Sequence, residues 1–164
     1  MRIALYQPDI PQNTGALLRL GACLGVGVDV IEPCGFIFST RKMARAGMDY
    51  IDHVELRRHA SWQAFCASRG EEPRRREGTG RLILLSTRAA VPYTDFEFAP
   101  TDTLLLGRES AGVPDAVHDA VDSAILIPMR PGMRSINVAQ SCAMVLGEAL
   151  RQTRSFPAAD GARP

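Results

Sequence analysis

Five short aliphatic runs constrain this chain more than any other feature: RIALYQ at the start, Val26–Ile31, Arg81–Ser86, Thr103–Leu106 and Ala124–Ile127. They are continuous rather than alternating, so both faces of each strand must be covered, as in a parallel sheet between layers of helix. Helical spacing fills the intervals. Leu17, Leu20, Gly21 and Leu24 recur at i, i+3, i+4 and i+7, with Asn13 or Thr14 able to cap the helix and Gly25 and Gly27 ending it. A last helix beginning near Ser135–Asn137 carries Val138, Cys142, Val145 and Ala149 at the same spacing. Shorter helices are predicted over Thr40–Ala46 and about Ser61–Ser68, where Trp62 and Phe65 pack. Pro33–Gly35 breaks the pattern, and residues 70–80 form a charged surface loop. Strands alternating with helices and no internal repeat predict one α/β domain over residues 1–156, with a flexible tail at 157–164.

At 164 residues and 46% hydrophobic, the chain can bury a core without disulfides or a structural metal. Cys23, Cys34, Cys66 and Cys142 form no C-x-x-C pair and lie mostly in apolar stretches, which reads as packed, reduced thiols. His53, His59 and His118 lack metal-ligand spacing, and His118 reads as a surface residue. The opening MRIALYQPD reaches a proline and an acid too early for a signal peptide, and no apolar run approaches the roughly 20 residues of a membrane span. The expectation is a cytoplasmic protein with neither metal nor membrane.

The net charge of +1 hides an asymmetry: residues 1–88 hold 13 basic and 9 acidic side chains, residues 89–164 hold 6 and 9. Lys42 is the only lysine among 19 basic residues. Arginine's planar fork suits phosphate oxygens. The clusters Arg41/Lys42/Arg45, Arg57/Arg58/His59 and Arg74/Arg75/Arg76 therefore read either as nucleic-acid contacts or as solvated surface.

Three segments break the regular pattern, each at the exit of a strand, where ligands bind in open α/β sheets. The first is Pro8-Asp9-Ile10-Pro11-Gln12-Asn13-Thr14-Gly15, leading to Arg19; six residues apart, Asn13 and Arg19 read as lying on related sides of one helix. The second is Gly107-Arg108-Glu109-Ser110-Ala111-Gly112, whose glycines let the backbone approach a ligand closely and whose Glu109 sits just past a buried strand. It is not a nucleophile elbow, because Gly107 lies three residues before Ser110 and not two. The third runs from Ile127-Pro128-Met129-Arg130 through Gly132, Met133 and Arg134 to Ser135-Ile136-Asn137-Val138, where a helix N-terminus offers unpaired N–H groups to an anion. Gly21-x-x-x-Gly25-x-Gly27 precedes its strand, so it is not a dinucleotide loop. A helix cap, a plain strand-to-helix connection and core methionines would account for the same residues taken singly.

Taken together and in order, these segments resemble the SPOUT superfamily of RNA 2′-O-methyltransferases. Asn13 to Arg19 is similar to that family's N-x-x-x-x-x-R motif, residues 107–112 to its glycine–glutamate loop, and Ser135-Ile136-Asn137 to its Ser-x-Asn loop. The similarity runs from Ile3 to about Gln152. The strings QPDIPQNTG, IEPCGF and IPMRPGMRSINVAQS are most similar to the small tRNA wobble-nucleotide 2′-O-methyltransferases within the superfamily.

The resemblance implies a parallel-sheet SPOUT fold with a C-terminal trefoil knot, an exception to the rule against threaded loops. It implies a homodimer using S-adenosyl-L-methionine, held at Leu85, Thr87, Gly107, Glu109, Ile127, Met129, Ser135 and Val138. It also implies methyl transfer to the wobble ribose of a cytidine or uridine in a tRNA anticodon arm, with leucine tRNAs as substrates. Arg19, Asn13, Glu109, Ser135 and Asn137 are the catalytic candidates. As a base Arg19 is chemically awkward, since its pKa is normally above about 12; stabilising the developing alkoxide or gripping a phosphate suits it better, with Glu109, Ser135 and Asn137 fixing its orientation. Arg41, Lys42, Arg45, Arg130 and Arg134 are the RNA-binding candidates, with Arg74–Arg76 behind them. Two alternatives are methylation of rRNA or of another tRNA position, and a non-catalytic knotted RNA-binding protein.

Overall fold

Each of the five aliphatic runs forms a strand of one seven-stranded parallel sheet, in a computed structural model that describes residues 1–38, 49–70 and 80–158. The chain runs β1 (Arg2–Tyr6), α1 (Pro11–Leu24), β2 (Gly27–Ile31), a 3₁₀ turn (Asp49–His53), β3 (Leu56–His59) and α2 (Trp62–Arg69). It continues through β4 (Leu82–Leu85), β5 (Val91–Pro92), β6 (Thr103–Leu106), α3 (Asp115–His118), β7 (Ser123–Leu126) and α4 (Val138–Thr153). The strand order is β3-β2-β1-β6-β4-β7-β5. The expected helix at Thr40–Ala46, and the clusters Arg41/Lys42/Arg45 and Arg74–Arg76, lie outside the described residues.

Strand alternation divides the core into two layers. Ile3, Leu5, Val28, Val30, Ile83, Leu104, Leu106 and Ile125 face α1 and α4, meeting Leu17, Leu18, Cys142, Val145 and Leu146. Ala4, Tyr6, Ile31, Leu82, Leu84 and Leu105 face the other way, toward Phe65 of α2 and Val117 of α3. Leu104 and Ile83 are fully buried, and truncating either to alanine removes about 2–5 kcal/mol. Gln152 fastens the end of α4 to the segment before β6: its amide donates to the Phe96 carbonyl at 3.0 Å and accepts from the Phe98 N–H at 2.9 Å.

Several local expectations need correction. Helix α1 starts earlier than the Asn13/Thr14 cap predicts, because Pro11 supplies the fixed φ of a first helical position and Ile10 becomes the cap residue. Thr14 Oγ1 donates back to the Ile10 carbonyl at 3.3 Å, and the Asn13 side chain turns outward to other loops. At α4 the cap is Asn137, whose Oδ1 accepts from the Ala139 N–H at 2.9 Å. Cys142 is a buried thiol pushed up to about 12 by desolvation, but Cys23 is exposed on α1 rather than packed. Met133 is 64% exposed, which removes it from the core. Among the described residues no group could hold a metal ion, and no helix is long and apolar enough to cross a membrane.

Candidate active site

Strands β1, β6, β4 and β7 are neighbours and parallel, so the loops leaving their carboxyl ends converge. They enclose a cavity of about 570 Å³. Its walls include every residue named for the cofactor: Leu85 and Thr87 after β4, Gly107 and Glu109 after β6, and Ile127, Met129, Ser135 and Val138 after β7. Asn13 and Asn137 line it too.

Side-chain amides and carboxylates stitch the three loops together. Glu109 accepts from the Asp9 backbone N–H at 2.8 Å through one oxygen and from Asn13 Nδ2 at 3.1 Å through the other. Asn13 Oδ1 accepts from Asn137 Nδ2 at 3.0 Å, and Asn137 in turn caps α4. The three motifs thus form one continuous hydrogen-bonded chain from β6 to the N-terminus of the last helix. The β6 loop is closed on itself by paired Arg108–Gly112 backbone hydrogen bonds of 2.9 and 2.8 Å. That closure explains both glycines. Gly112 has φ +66°, and a Cβ on Gly107 would lie 2.7 Å from the Gly112 backbone.

A second carboxylate, missed in the sequence, answers Glu109. Asp9 accepts from Arg108 Nη2 at 2.6 Å and from the Ser110 N–H at 3.2 Å, and its other partner is the Ser110 hydroxyl. Arg108 and then Ser110 hold the Asp9 carboxyl down at about 2. The signal in the sequence was a carboxylate between two prolines at a strand exit. Its partner lies 99 residues away and could not be read from spacing.

Arg19 is placed elsewhere. It is exposed, does not line this cavity, and its guanidinium lies 4.4 Å from the centroid of the Tyr50 ring. The expectation that Asn13 and Arg19 share a side of α1 fails on helical geometry: six residues turn the helix about 600°, leaving the pair about 120° apart. Nor does Glu109 orient Arg19 within the chain: its partners are the Asp9 N–H and Asn13, and Arg19 lies against Tyr50. Arg130 and Arg134 stand exposed on the loop after β7, next in sequence to the lining residues Met129 and Ser135, and do not themselves line the cavity.

The SpoU rRNA Methylase family matches residues 1–147. The chain belongs to that family. Among SpoU relatives, a tRNA (cytidine(34)-2'-O)-methyltransferase from Beijerinckia indica is 61% identical over 150 residues, covering 92% of this chain and 90% of the relative. A solved structure concerned with the 2-OH methylation of C/U34 on tRNA is 37% identical, with a TM-score of 0.81 and coverage of 92% and 94%. The SpoU methyltransferase AviRb from Streptomyces viridochromogenes, solved with AdoMet, shares the fold at 24% identity and TM-score 0.77, covering 93% of this chain and 60% of its own. The protein is thus a methyltransferase of the SpoU fold, with its motif loops gathered at one cavity.

Proposed function

We propose that the protein transfers a methyl group from S-adenosyl-L-methionine to the ribose 2′-hydroxyl of the wobble cytidine or uridine of tRNA. The observation that carries this reading is the convergence of all three motif loops on one cavity, in a chain similar over 92% of its length to a tRNA (cytidine(34)-2'-O)-methyltransferase. The residues present fit the methyl donor. Leu85, Leu106, Ile125, Ile127 and Val138 offer apolar walls, while Thr87, Glu109 and Ser135 add polar groups at the strand ends. When bound, the donor would supply a sulfonium-activated methyl group: its C–S bond would break as a bond to the ribose oxygen forms, with S-adenosyl-L-homocysteine as the leaving group and the hydroxyl proton passing to solvent water.

The chain's own contribution is to position that oxygen and favour loss of its proton. Arg19 supplies a positive fork for the developing alkoxide or a neighbouring phosphate, and Asn13, Glu109, Ser135 and Asn137 shape the surface against which the ribose lies. Because Arg19 stands outside the cavity of its own chain, the site is shared between two copies in a homodimer. Exposed Met144, and the open space beside Gly147 on the same helix, support α4 as part of that contact. The strand order supports the trefoil knot: β7 lies between β4 and β5, which the chain has already joined, and β6 lies between β1 and β4. Arg130 and Arg134 contact the anticodon arm, together with Arg41, Lys42 and Arg45; leucine tRNAs are the proposed substrates, and the cytoplasm the proposed site of action.

Incubation with labelled S-adenosyl-L-methionine and, separately, unmodified tRNA and rRNA tests the substrate class. Label on tRNA is expected, and label confined to rRNA overturns the reading. Mixed dimers of Arg19→Ala and Glu109→Ala chains test the shared site. One of their two sites holds both native residues, so activity returns on mixing; a site built within one chain stays dead.

A further inference from the structure

The proposed function leaves Asp9, Arg108 and Ser110 without a role, yet Asp9 gathers a guanidinium, an N–H and a hydroxyl from a loop whose Arg108 and Ser110 line the cavity. The contacts are reciprocal. The carboxylate of Glu109, on the β6 loop, receives the Asp9 N–H and the Asn13 amide of the β1 loop. The carboxylate of Asp9, on the β1 loop, receives Arg108 and Ser110 of the β6 loop. Each loop therefore holds the other by a carboxyl acceptor, across separations of 96 to 101 residues. Gln7, two residues before Asp9, has φ +46°, a conformation that costs a non-glycine residue energy.

We propose that Asp9 is a positioning residue that acts through Arg108 and Ser110. Its carboxylate holds the 107–112 loop in the shape that the methyl donor requires, and registers that loop on the N-terminus of α1. The Arg108 guanidinium, engaged by Asp9, is thereby assigned to loop geometry rather than to RNA phosphate. Ser110 meets the same carboxylate through backbone and side chain, so the loop's close approach at Gly107 and its turn at Gly112 are both held from one point. The inference rests on the cavity being the donor site.

Calorimetric titration of the full-length protein with S-adenosyl-L-homocysteine tests it, using Asp9→Asn, Arg108→Gln, the double variant and the swapped pair Asp9→Arg with Arg108→Asp. Each single variant is expected to bind roughly tenfold more weakly, with the double no worse than the weaker single, because both remove one interaction. In transfer assays KM for the donor rises, while kcat at saturation stays within about twofold. Partial recovery by the swapped pair supports the clasp, since a merely destabilised fold would not regain donor affinity. Wild-type affinity in Asp9→Asn, or single effects that multiply in the double, overturns it. A wild-type protein that binds no S-adenosyl-L-homocysteine overturns the donor-site reading itself, so the two failures are distinguishable.

Discussion

Two polar networks are built on the same sheet, and they differ in what their partners are. Around β1–β3, Asp29 accepts from Arg2 Nε at 2.6 Å and lies 2.7 Å from His59 Nε2, with Glu55 taking the outer edge of Arg2 at 2.9 Å. Asp29 is only 4% exposed, and the ring of Phe65 covers His59 edge-on at 5.2 Å. Arg2, Asp29 and His59 belong to three adjacent strands and pair through the Asp29 carboxylate, although Arg2 Nη2 is buried without a partner, so the network fixes strand pairing. The network at the carboxyl ends joins three loops distant in sequence, and Asn13, Glu109 and Asn137 keep a face toward a cavity. A polar cluster that pairs adjacent strands is part of the fold; one that holds distant loops around open space is a candidate site.

Substitutions can separate the two. Asp29→Ala leaves the half-buried Arg2 guanidinium with Glu55 alone and the buried His59 ring without its partner, and is expected to cost about 3 kcal/mol of stability by denaturant unfolding. The folded fraction should retain its kcat; a large fall in kcat without loss of stability would merge the two networks. Glu109→Ala should show the opposite pattern, with kcat/KM down on the order of 10²-fold and stability within about 1 kcal/mol of the parent. Gly107→Ala forces a Cβ against the Gly112 backbone and is expected to weaken donor binding about tenfold, read by calorimetry. Unchanged donor affinity would show that loop closure does not matter.

The smallest effect is one of pH. The Asp9 carboxyl is held at about 2, against an ordinary value of 3.8. A depressed carboxyl stabilises the folded state fully above its ordinary value and loses that contribution only as pH falls through the lowered one. The ratio of donor affinities between wild type and Asp9→Asn should therefore stay constant from pH 8 to about 5. A ratio that collapses toward unity within that window contradicts a standing ion pair.

Residues buried on both faces were readable because nothing else explains a continuous aliphatic run, and β1, β2, β4, β6 and β7 appeared within a residue or two of their places. The edge strands β3 and β5 were not readable. Leu56-Arg57-Arg58-His59 looks like a surface patch, since an edge strand has one neighbour and keeps polar side chains. Arg57 and Arg58 are indeed exposed, paired with Glu55 and Glu32, but His59 is buried. At the site, the three motif loops were legible from their glycines, prolines and amides. The pairing of Asp9 with Arg108 was not, because hydrogen bonds between loops are set by the sheet order and leave no periodic trace in the chain. Arg19 was legible as a residue but not as a position, since helical phase and Tyr50 decide where its guanidinium lies.

The most direct test of the account is to map the labelled nucleotide after methyl transfer to bulk tRNA from a strain lacking this protein, with Arg19→Ala run in parallel. Label is expected on the wobble ribose, reduced by about 10²-fold or more in the variant. Label on another nucleotide, or an undiminished signal from Arg19→Ala, would contradict it.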